Sequence, residues 1–329
     1  MAASWITNWK KIKIKVNQIL QKRERVKIDP SESLWLSCPS CSKLNEKERL
    51  STSDWICDSC QYYFDRPARA IVQSFGLLKD ENFIEPDKNL DSDPLKFVSN
   101  LGPYSEKLVK ARKKEKQYCS ILGYKGTVEN LNVTLVCSSF TFLGGSWSHI
   151  ESSYFQKIVS NAIENKCDVF IMALKTGGVS MFSGAVGLNS VMVGDTIGVQ
   201  RLKENNILTV GIGQSKTTGG VLASVMYNSD IVIYEKGAHD IIFTSKLISG
   251  KYLGPGETID EKFGTAEEKL SKGMADLVLE RSKLRSTILT LAKIIKKKEA
   301  AAVINTEQEQ QDDSKEKIRE ILPRTAEKI

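Results

Sequence analysis

The chain has 329 residues, a length that predicts one large domain or two smaller ones. Its hydrophobic content of 41% and charged content of 26% exclude collagen-like, wholly disordered and disulfide-scaffold classes. The net charge of +7 suggests an anionic partner, either a ligand that carries phosphates or a nucleic acid. No apolar run is long enough for a membrane span and no secretory signal opens the sequence, so we expect a cytoplasmic protein. The basic, acid-poor start leaves a transit peptide open.

Composition and patterning divide the chain into five predicted segments. In chain order they are a basic N-terminal arm (1–30), a cysteine-containing ribbon (31–66), a helical linker (67–117), an α/β domain (118–295) and a flexible charged tail (296–329). In the fourth segment, short apolar runs predict buried strands at Val133–Val136, Val169–Leu174, Leu208–Ile212 and Asp230–Tyr234. Helical patterns at Ser152–Asn165 and Gly184–Asn205 alternate with them, which predicts βα units.

Two CxxC pairs predict a metal site. Cys38-Pro-Ser-Cys41 and Cys57-Asp-Ser-Cys60 are separated by fifteen residues, a spacing typical of a zinc ribbon. Four thiolates at about 2.3 Å complete a tetrahedral shell and leave no open position. We therefore expect one structural Zn²⁺ per chain. An iron–sulfur cluster and four unrelated reduced cysteines are the alternatives.

Three glycine pairs lie at strand-to-helix junctions. Glycine there lets the backbone approach a ligand and adopt a positive φ, and successive N–H groups at a helix N-terminus can stabilise an oxyanion or bind phosphate. A tight turn explains any single pair, but three at equivalent ends of βα units are less easily explained that way. The pairs and their polar neighbours are Gly144-Gly145 with Ser146, Gly177-Gly178, and Gly219-Gly220 with Thr218.

The chemistry is expected to rely on backbone donors. The only histidines are His149, expected at a helix start, and His239, expected in a turn. The sequence contains no HExxH, GxSxG, GxGxxG or P-loop pattern, which disfavours zinc proteases, serine hydrolases, Rossmann sites and Walker ATPases.

In this order, the motifs resemble one family, the β subunit of the bacterial and plastid-type acetyl-CoA carboxylase carboxyltransferase. The resemblance covers about residues 33–295. Its most specific parts are the ribbon, Phe142–Ser146, Thr176–Gly178 and Thr217–Val221 with Ala223-Ser224, and Gly273–Asp276 also resembles the family's C-terminal end.

The resemblance implies a crotonase-like (ClpP/crotonase) α/β fold, a superhelix of ββα units preceded by the zinc ribbon. It implies an enzyme that needs an α subunit in an α2β2 heterotetramer. A biotin carboxyl carrier protein delivers carboxybiotin, and a separate biotin carboxylase uses the ATP. The implied reaction moves the carboxyl group to acetyl-CoA and gives malonyl-CoA for fatty acid synthesis. The location is cytoplasmic, or the plastid stroma in a eukaryote, with no membrane and no nucleic acid.

By the same resemblance, Gly177 and Gly178 form a catalytic oxyanion hole. The implied lining of the CoA and biotin cleft is Gly144, Gly145, Ser146, Thr218, Gly219 and Gly220.

The sequence departs from the family pattern beside the second glycine pair. The family's Arg, Gln and Glu are replaced by Ser180, Phe182 and Ser183. Its Asp-Pro is Ser215-Lys216, and its Gly-Phe-Ala-Gly-Pro-Arg stretch is Ile242–Leu247. The departures leave three interpretations besides an active β subunit: a non-catalytic scaffold or regulatory homologue, a variant acting on another acyl-CoA, and a basic zinc-ribbon protein that binds nucleic acid.

Overall fold

The computed structural model of the protein describes residues 34–100, 102–244, 249–254 and 258–296. The predicted arm and all of the predicted tail except Lys296 lie outside these residues, as does part of the Ile242–Leu247 stretch. The chain divides into two compact units, one ending at Asp65 and one beginning at Arg66. Among the described residues, no helix combines the length and apolarity that crossing a bilayer requires.

The described part of the first unit is a small ribbon. Strands β1 (Trp35–Ser37) and β2 (Leu44–Glu46) pair antiparallel, and helix α1 (Lys47–Thr52) follows directly. The buried side chains form a core of only a few residues, namely Cys38, Leu50, Cys57 and Phe64. A core this small gives little apolar burial, so a bound metal would supply much of the folding free energy of such a unit.

The second unit is built on a six-stranded mixed sheet in the order β10-β9-β8-β7-β6-β5. Strands β5 and β6 form an antiparallel hairpin, and β6 to β10 run parallel to one another. The strands are β5 (Ile121–Val128), β6 (Leu131–Ser138), β7 (Val169–Thr176), β8 (Leu208–Thr217), β9 (Ile231–Glu235) and β10 (Leu277–Leu279). A separate two-stranded ribbon pairs β3 (Val98–Ser99) with β4 (Gly102–Pro103).

Helices connect and cover these strands. They are α2 (Ala68–Ser74), α3 (Tyr104–Glu115), α4 (His149–Glu164), α5 (Gly184–Leu188), α6 (Thr196–Glu204), α7 (Gly219–Val221), α8 (Ala266–Ser271) and α9 (284–296). Two π-helical segments, Asn189–Asp195 and Leu222–Met226, continue α5 and α7. The helix predicted over Gly184–Asn205 is therefore confirmed as one helical stretch that contains a π segment.

The core lies on both faces of the sheet. All eight residues of β7 are buried, as expected of a parallel strand covered on both sides. On one face the strands pack with Phe155 and Ile158 of α4. On the other face they pack with α2 and α9.

The four strands predicted from apolar runs are all present, and β5 and β10 are additions to the prediction. Two glycines and a lysine interrupt the apolar pattern of β5, and β10 has only three residues. Within the predicted linker, Ile71, Val72 and Phe75 belong to the core of the second unit. The boundary between linker and α/β domain stays a prediction.

Candidate functional site

The four predicted metal ligands lie together in the ribbon. Their Sγ atoms are all within 4.8 Å of one another. The Sγ atoms of Cys38 and Cys60 are 3.5 Å apart, and those of Cys41 and Cys57 are 3.7 Å apart. Tetrahedral bonds of about 2.3 Å place two sulfurs about 3.8 Å apart, so the spacing fits one four-coordinate ion. The cluster could hold a metal such as zinc.

Each CxxC pair is held by the same backbone turn. Ser42 N donates to Cys38 O at 2.8 Å, and Gln61 N donates to Cys57 O at 2.9 Å. Ser42 and Gln61 both have a positive φ, near 60°. The repeated turn explains why two separate sequence pairs present their thiols in one cluster.

The three glycine pairs converge where β6, β7 and β8 end. Gly177 N donates to Gly144 O at 2.9 Å, which joins the first pair to the second. A Cβ built on Gly178 would lie 3.1 Å from Gly219 Cα, which joins the second pair to the third. We call this group the glycine cradle; its members are Gly144, Gly145, Gly177, Gly178, Gly219 and Gly220.

Backbone geometry requires glycine at two cradle positions. Gly145 has a φ of 63°, and a Cβ there would lie 2.4 Å from Lys175 O. Gly178 has a φ of 94°, with Thr218 O also 3.1 Å from its Cβ position. Side chains are excluded at both places by strain and by contact with main-chain atoms.

Several cradle amides already donate hydrogen bonds within the chain. Gly177 N binds Gly144 O, Gly178 N binds Thr176 Oγ1 at 2.9 Å, and Gly219 N binds Ile242 O at 3.2 Å. Gly220 lies in the first turn of α7, where N–H groups have no acceptor within the helix. The oxyanion-hole role of Gly177 and Gly178 stays a prediction, and a ligand would have to displace these acceptors.

The two predicted polar neighbours support the cradle from within. Ser146 Oγ donates to Leu143 O at 2.9 Å, and Thr218 Oγ1 donates to Thr176 O at 3.1 Å. Both hydroxyls therefore stabilise the loops that carry the glycines. Their part in binding CoA or biotin stays a prediction.

Two lysines bring positive charge to the ends of β7 and β8. Strand pairing shifts between Leu174 and Thr176, so Lys175 and Lys216 both lie in an irregular stretch. The Nζ atoms of Lys175 and Lys216 lie 4.8 Å and 5.5 Å from the centroid of the Phe140 ring. The positive potential at this edge suits an anionic ligand.

An aromatic cluster beside the cradle was not predicted from the sequence. The Phe182 ring stacks on Tyr104 of α3 and meets Phe97 edge-on. We call Phe97, Tyr104 and Phe182 the aromatic cluster. Phe182 is far in the sequence from Phe97 and Tyr104, and no local periodicity links it to them, so no single-sequence pattern could have found the cluster. His149 begins α4, as predicted, and its Nε2 lies 2.7 Å from Asp91 O.

Glu235 joins several elements through buried charge. It accepts from Arg66 Nη2 at 2.5 Å, from Arg281 Nη2 at 2.7 Å and from Gln214 Nε2 at 3.0 Å. Burial alone would raise the pKa of Glu235, but the charges of Arg66 and Arg281 hold it below its ordinary value. The carboxylate is therefore ionised and paired at neutral pH.

Asp195 is a buried carboxyl group at the end of the first π segment. Burial raises the pKa of Asp195 to about 7, against hydrogen bonds from Ser152 and Gln156 that lower it. Ser152 Oγ donates to Asp195 Oδ1 at 2.7 Å. Within the described part of the chain, Asp195 Oδ2 has no hydrogen-bond partner.

The second unit is a mixed sheet with covering helices and a glycine-lined edge, and a four-thiol ribbon precedes it in the sequence. These features define a crotonase-like carboxyltransferase fold. The sequence profile of the carboxyl transferase domain matches residues 100–328. The chain belongs to this carboxyl transferase family.

Curated relatives agree with the profile. The acetyl-coenzyme A carboxylase carboxyl transferase subunit beta of Allorhizobium ampelinum is 31% identical over 295 residues, 89% of this chain and 92% of that protein. The same subunit of Rhizobium leguminosarum bv. trifolii is 31% identical over 296 residues, 89% of this chain and 93% of that protein. The chain is thus a homologue of these β subunits over most of its length.

Solved structures share the fold. A Pseudomonas malonate decarboxylase hetero-tetramer in complex with malonate has a TM-score of 0.52 at 17% identity, over 69% of this chain and 82% of that one. The transcarboxylase 12S hexamer, with hydrolysed methylmalonyl-coenzyme A bound, has a TM-score of 0.52 at 18% identity, over 70% of this chain and 41% of that one. At such identities the likeness concerns the fold alone.

Proposed function

We propose that the chain is the β subunit of the carboxyltransferase component of acetyl-CoA carboxylase. It transfers the carboxyl group from carboxybiotin on the carrier protein to acetyl-CoA, and malonyl-CoA is the product. The observation that carries the proposal is the convergence of three glycine pairs at one sheet edge, in a chain 31% identical to such subunits over 89% of its length.

The cradle suits a reaction that develops negative charge on oxygen. Release of the carboxyl group as CO2 would leave an anion on biotin, which would take the proton from the acetyl group; the resulting enolate would then bond to the CO2. Main-chain N–H groups fixed in place stabilise such oxyanions without a side-chain acid. Use of Gly178 N as a donor requires the Thr176 hydroxyl to release it, and Lys175 and Lys216 add positive potential for an anionic substrate.

An α subunit is the proposed partner. Apolar side chains are exposed along the helical stretch that follows the second glycine pair, and soluble monomers rarely expose such a row. They are Met181, Val186, Leu188, Val193 and Ile197. We assign this face to the α subunit of an α2β2 assembly. The biotin carboxyl carrier protein is the second proposed partner of that assembly, and the ATP-dependent biotin carboxylase, which carboxylates the carrier, is the third.

Zn²⁺ is the proposed metal of the ribbon. Cys38, Cys41, Cys57 and Cys60 would hold it with four thiolates, which leaves no position for a substrate. Its role is therefore structural.

The test is malonyl-CoA formation from acetyl-CoA and carboxylated carrier protein, with a cognate α subunit co-expressed. We expect turnover that depends on this chain. Gly178→Ala should lower kcat by about a hundredfold, because its Cβ crowds Gly219 and distorts the cradle. Gly76→Ala is the matched control, since Gly76 also has a positive φ, 76°, but no atom within 4 Å of its Cβ position.

The engaged amides of Gly177 and Gly178 favour one alternative, a non-catalytic scaffold subunit. A stable complex with the α subunit that turns over neither acetyl-CoA nor any other acyl-CoA would establish that alternative. Turnover with a different acyl-CoA would keep the reaction class and change the substrate.

A further inference from the structure

The Phe182 ring is held by one segment of the chain, residues 95–107. It stacks on Tyr104 with ring centroids 4.8 Å apart and 15° between the planes. It meets Phe97 edge-on, with centroids 5.3 Å apart. Lys107 Nζ lies 4.8 Å from its centroid. Stacked, edge-on and cation contacts together fix the orientation of the ring.

The same segment contacts two further residues of the turn that follows the second glycine pair. Tyr104 also lies close to Ser180, a residue that is only 5% exposed. Leu95 Cδ1 lies 3.1 Å from the position of a Cβ on Gly184. The described residues of segment 95–107 therefore lie beside this turn near Ser180, Phe182 and Gly184.

This turn is bonded directly to the glycine cradle. Ser180 N donates to Trp147 O at 2.7 Å, and Trp147 N donates to Gly178 O at 2.9 Å. A change in the position of the turn would be transmitted through these two bonds to Gly178.

The aromatic cluster also supports the first glycine pair. Phe142, two residues before Gly144, is buried in one cluster with Tyr104 and Leu108 of α3. Phe142 O accepts the Gly145 N–H at 2.8 Å. Helix α3 thus packs against two of the three loops that supply the cradle.

We propose that Tyr104 and Phe182 are positioning residues for the glycine cradle. They act through Ser180 and Trp147 on Gly178, and they touch no reacting atom. Through these contacts Ser180, Phe182 and α3 form one packed unit. The effect on catalysis rests on the proposed function; the effect on the backbone does not.

The first experiment measures kcat and KM for acetyl-CoA with the full chain and its α subunit. Phe182→Leu keeps an apolar side chain but removes the stacking. We expect kcat to fall by about ten- to a hundredfold with little change in KM, because the donors are displaced while substrate binding elsewhere is kept. Phe182→Tyr restores the stack and should restore kcat.

Phe83→Leu is the matched control. Phe83 pairs with Tyr124 at 5.1 Å, in the core on the α2 and α9 face of the sheet. The Phe83→Leu variant removes an aromatic pair of similar spacing and leaves the cradle unchanged. Equal kcat losses in Phe182→Leu and Phe83→Leu would overturn the proposal, because the loss would then reflect general destabilisation.

Ser180→Arg tests the same packed unit by adding a large charged side chain to it. With Ser180 buried next to Tyr104, a guanidinium group would displace the aromatic cluster, so we expect kcat to fall. A rise in kcat would contradict the inference that Ser180, Phe182 and α3 form one packed unit.

The second experiment needs no activity. Amide hydrogen exchange of segment 178–183 is measured in the chain alone, for the parent protein, Phe182→Leu and Tyr104→Leu, each of which removes one ring of the stacked pair. We expect faster exchange there in both variants and no change in β7. Unchanged exchange at 178–183 would overturn the positioning role. If the parent protein forms no malonyl-CoA but the variants still show faster exchange at 178–183, the proposed function is refuted and the positioning role is kept.

Discussion

At the scale of the residue, Asp195 links the fold to pH. Its carboxyl group is fully buried, and its pKa is raised from an ordinary value of 3.8 to about 7. The folded state therefore holds this proton more tightly than the unfolded state does. The contribution of this proton to the free energy of unfolding is fully present below about pH 4 and is lost as the pH rises through 7.

Asp195→Asn should remove this dependence. An amide keeps an oxygen for Ser152 but cannot ionise, so the variant should unfold at higher urea concentration than the parent protein at pH 8. The gap should shrink as the pH falls and close below about pH 4, and its upper limit is about 4 kcal/mol, since one pKa unit corresponds to about 1.4 kcal/mol. Urea titrations from about pH 3.5 to pH 8.5 measure it. Asp80→Asn, at an exposed position, is the control; the same pH profile in Asp195→Asn and the parent would contradict the assignment.

At the scale of elements, the Glu235 network fastens β8 and β9 to two other parts of the second unit. Gln214 belongs to β8, Glu235 ends β9, Arg281 follows β10, and Arg66 begins the unit. All of this charge is buried, with side chains of Arg66, Glu235 and Arg281 each 4% exposed. A buried pair contributes little net stability when intact but is costly to break.

Glu235→Gln should destabilise the second unit by about 3–5 kcal/mol, because it removes the buried carboxylate that the Arg66 and Arg281 guanidinium groups share. Glu280→Gln is the matched control, since Glu280 pairs with Lys236 and Lys283 in solvent-screened salt bridges and its loss should change stability far less than the loss of Glu235. Chemical denaturation measures both. Equal effects would show that the network does not fasten the elements.

The elements differ in how well the sequence predicted them. Strands β6 to β9 were predictable because each contains a continuous apolar run covered on both faces. Strand β5 was not, because Gly123 and Gly126 break its pattern; its position comes from pairing with β6, which is a tertiary effect. The glycine cradle could be anticipated from strand order alone. The aromatic cluster could not, because the contact between Phe182 and α3 depends on how a distant segment folds back.

At the scale of the whole molecule, the two compact units have different sources of stability. The second has a core on each face of its sheet. The described part of the first has a small core next to four clustered thiols. Loss of the metal should therefore unfold the first unit and leave the second folded.

Cys38→Ser should lose the single bound metal ion and the folded ribbon, while the second unit keeps its thermal transition. Metal content by mass spectrometry and a calorimetric scan measure the two effects. Cys167→Ser is the control, because Cys167 is a buried thiol of the second unit that takes no part in the cluster. Full metal content in Cys38→Ser, or loss of both transitions together, would contradict this division.

The construction of the cradle from main-chain atoms has a consequence for how the chain tolerates mutation. Reagents that modify lysine, cysteine or histidine find no target among six glycines, and an exchange of neighbouring side chains leaves the N–H groups in place as long as the backbone keeps its path. Side-chain substitutions around the cradle can thus be tolerated as long as the backbone is kept, whereas a site built from an acidic and a basic side chain loses its function when either one is replaced. Resistance to a competitive inhibitor could arise at the surrounding side chains without loss of the donors themselves.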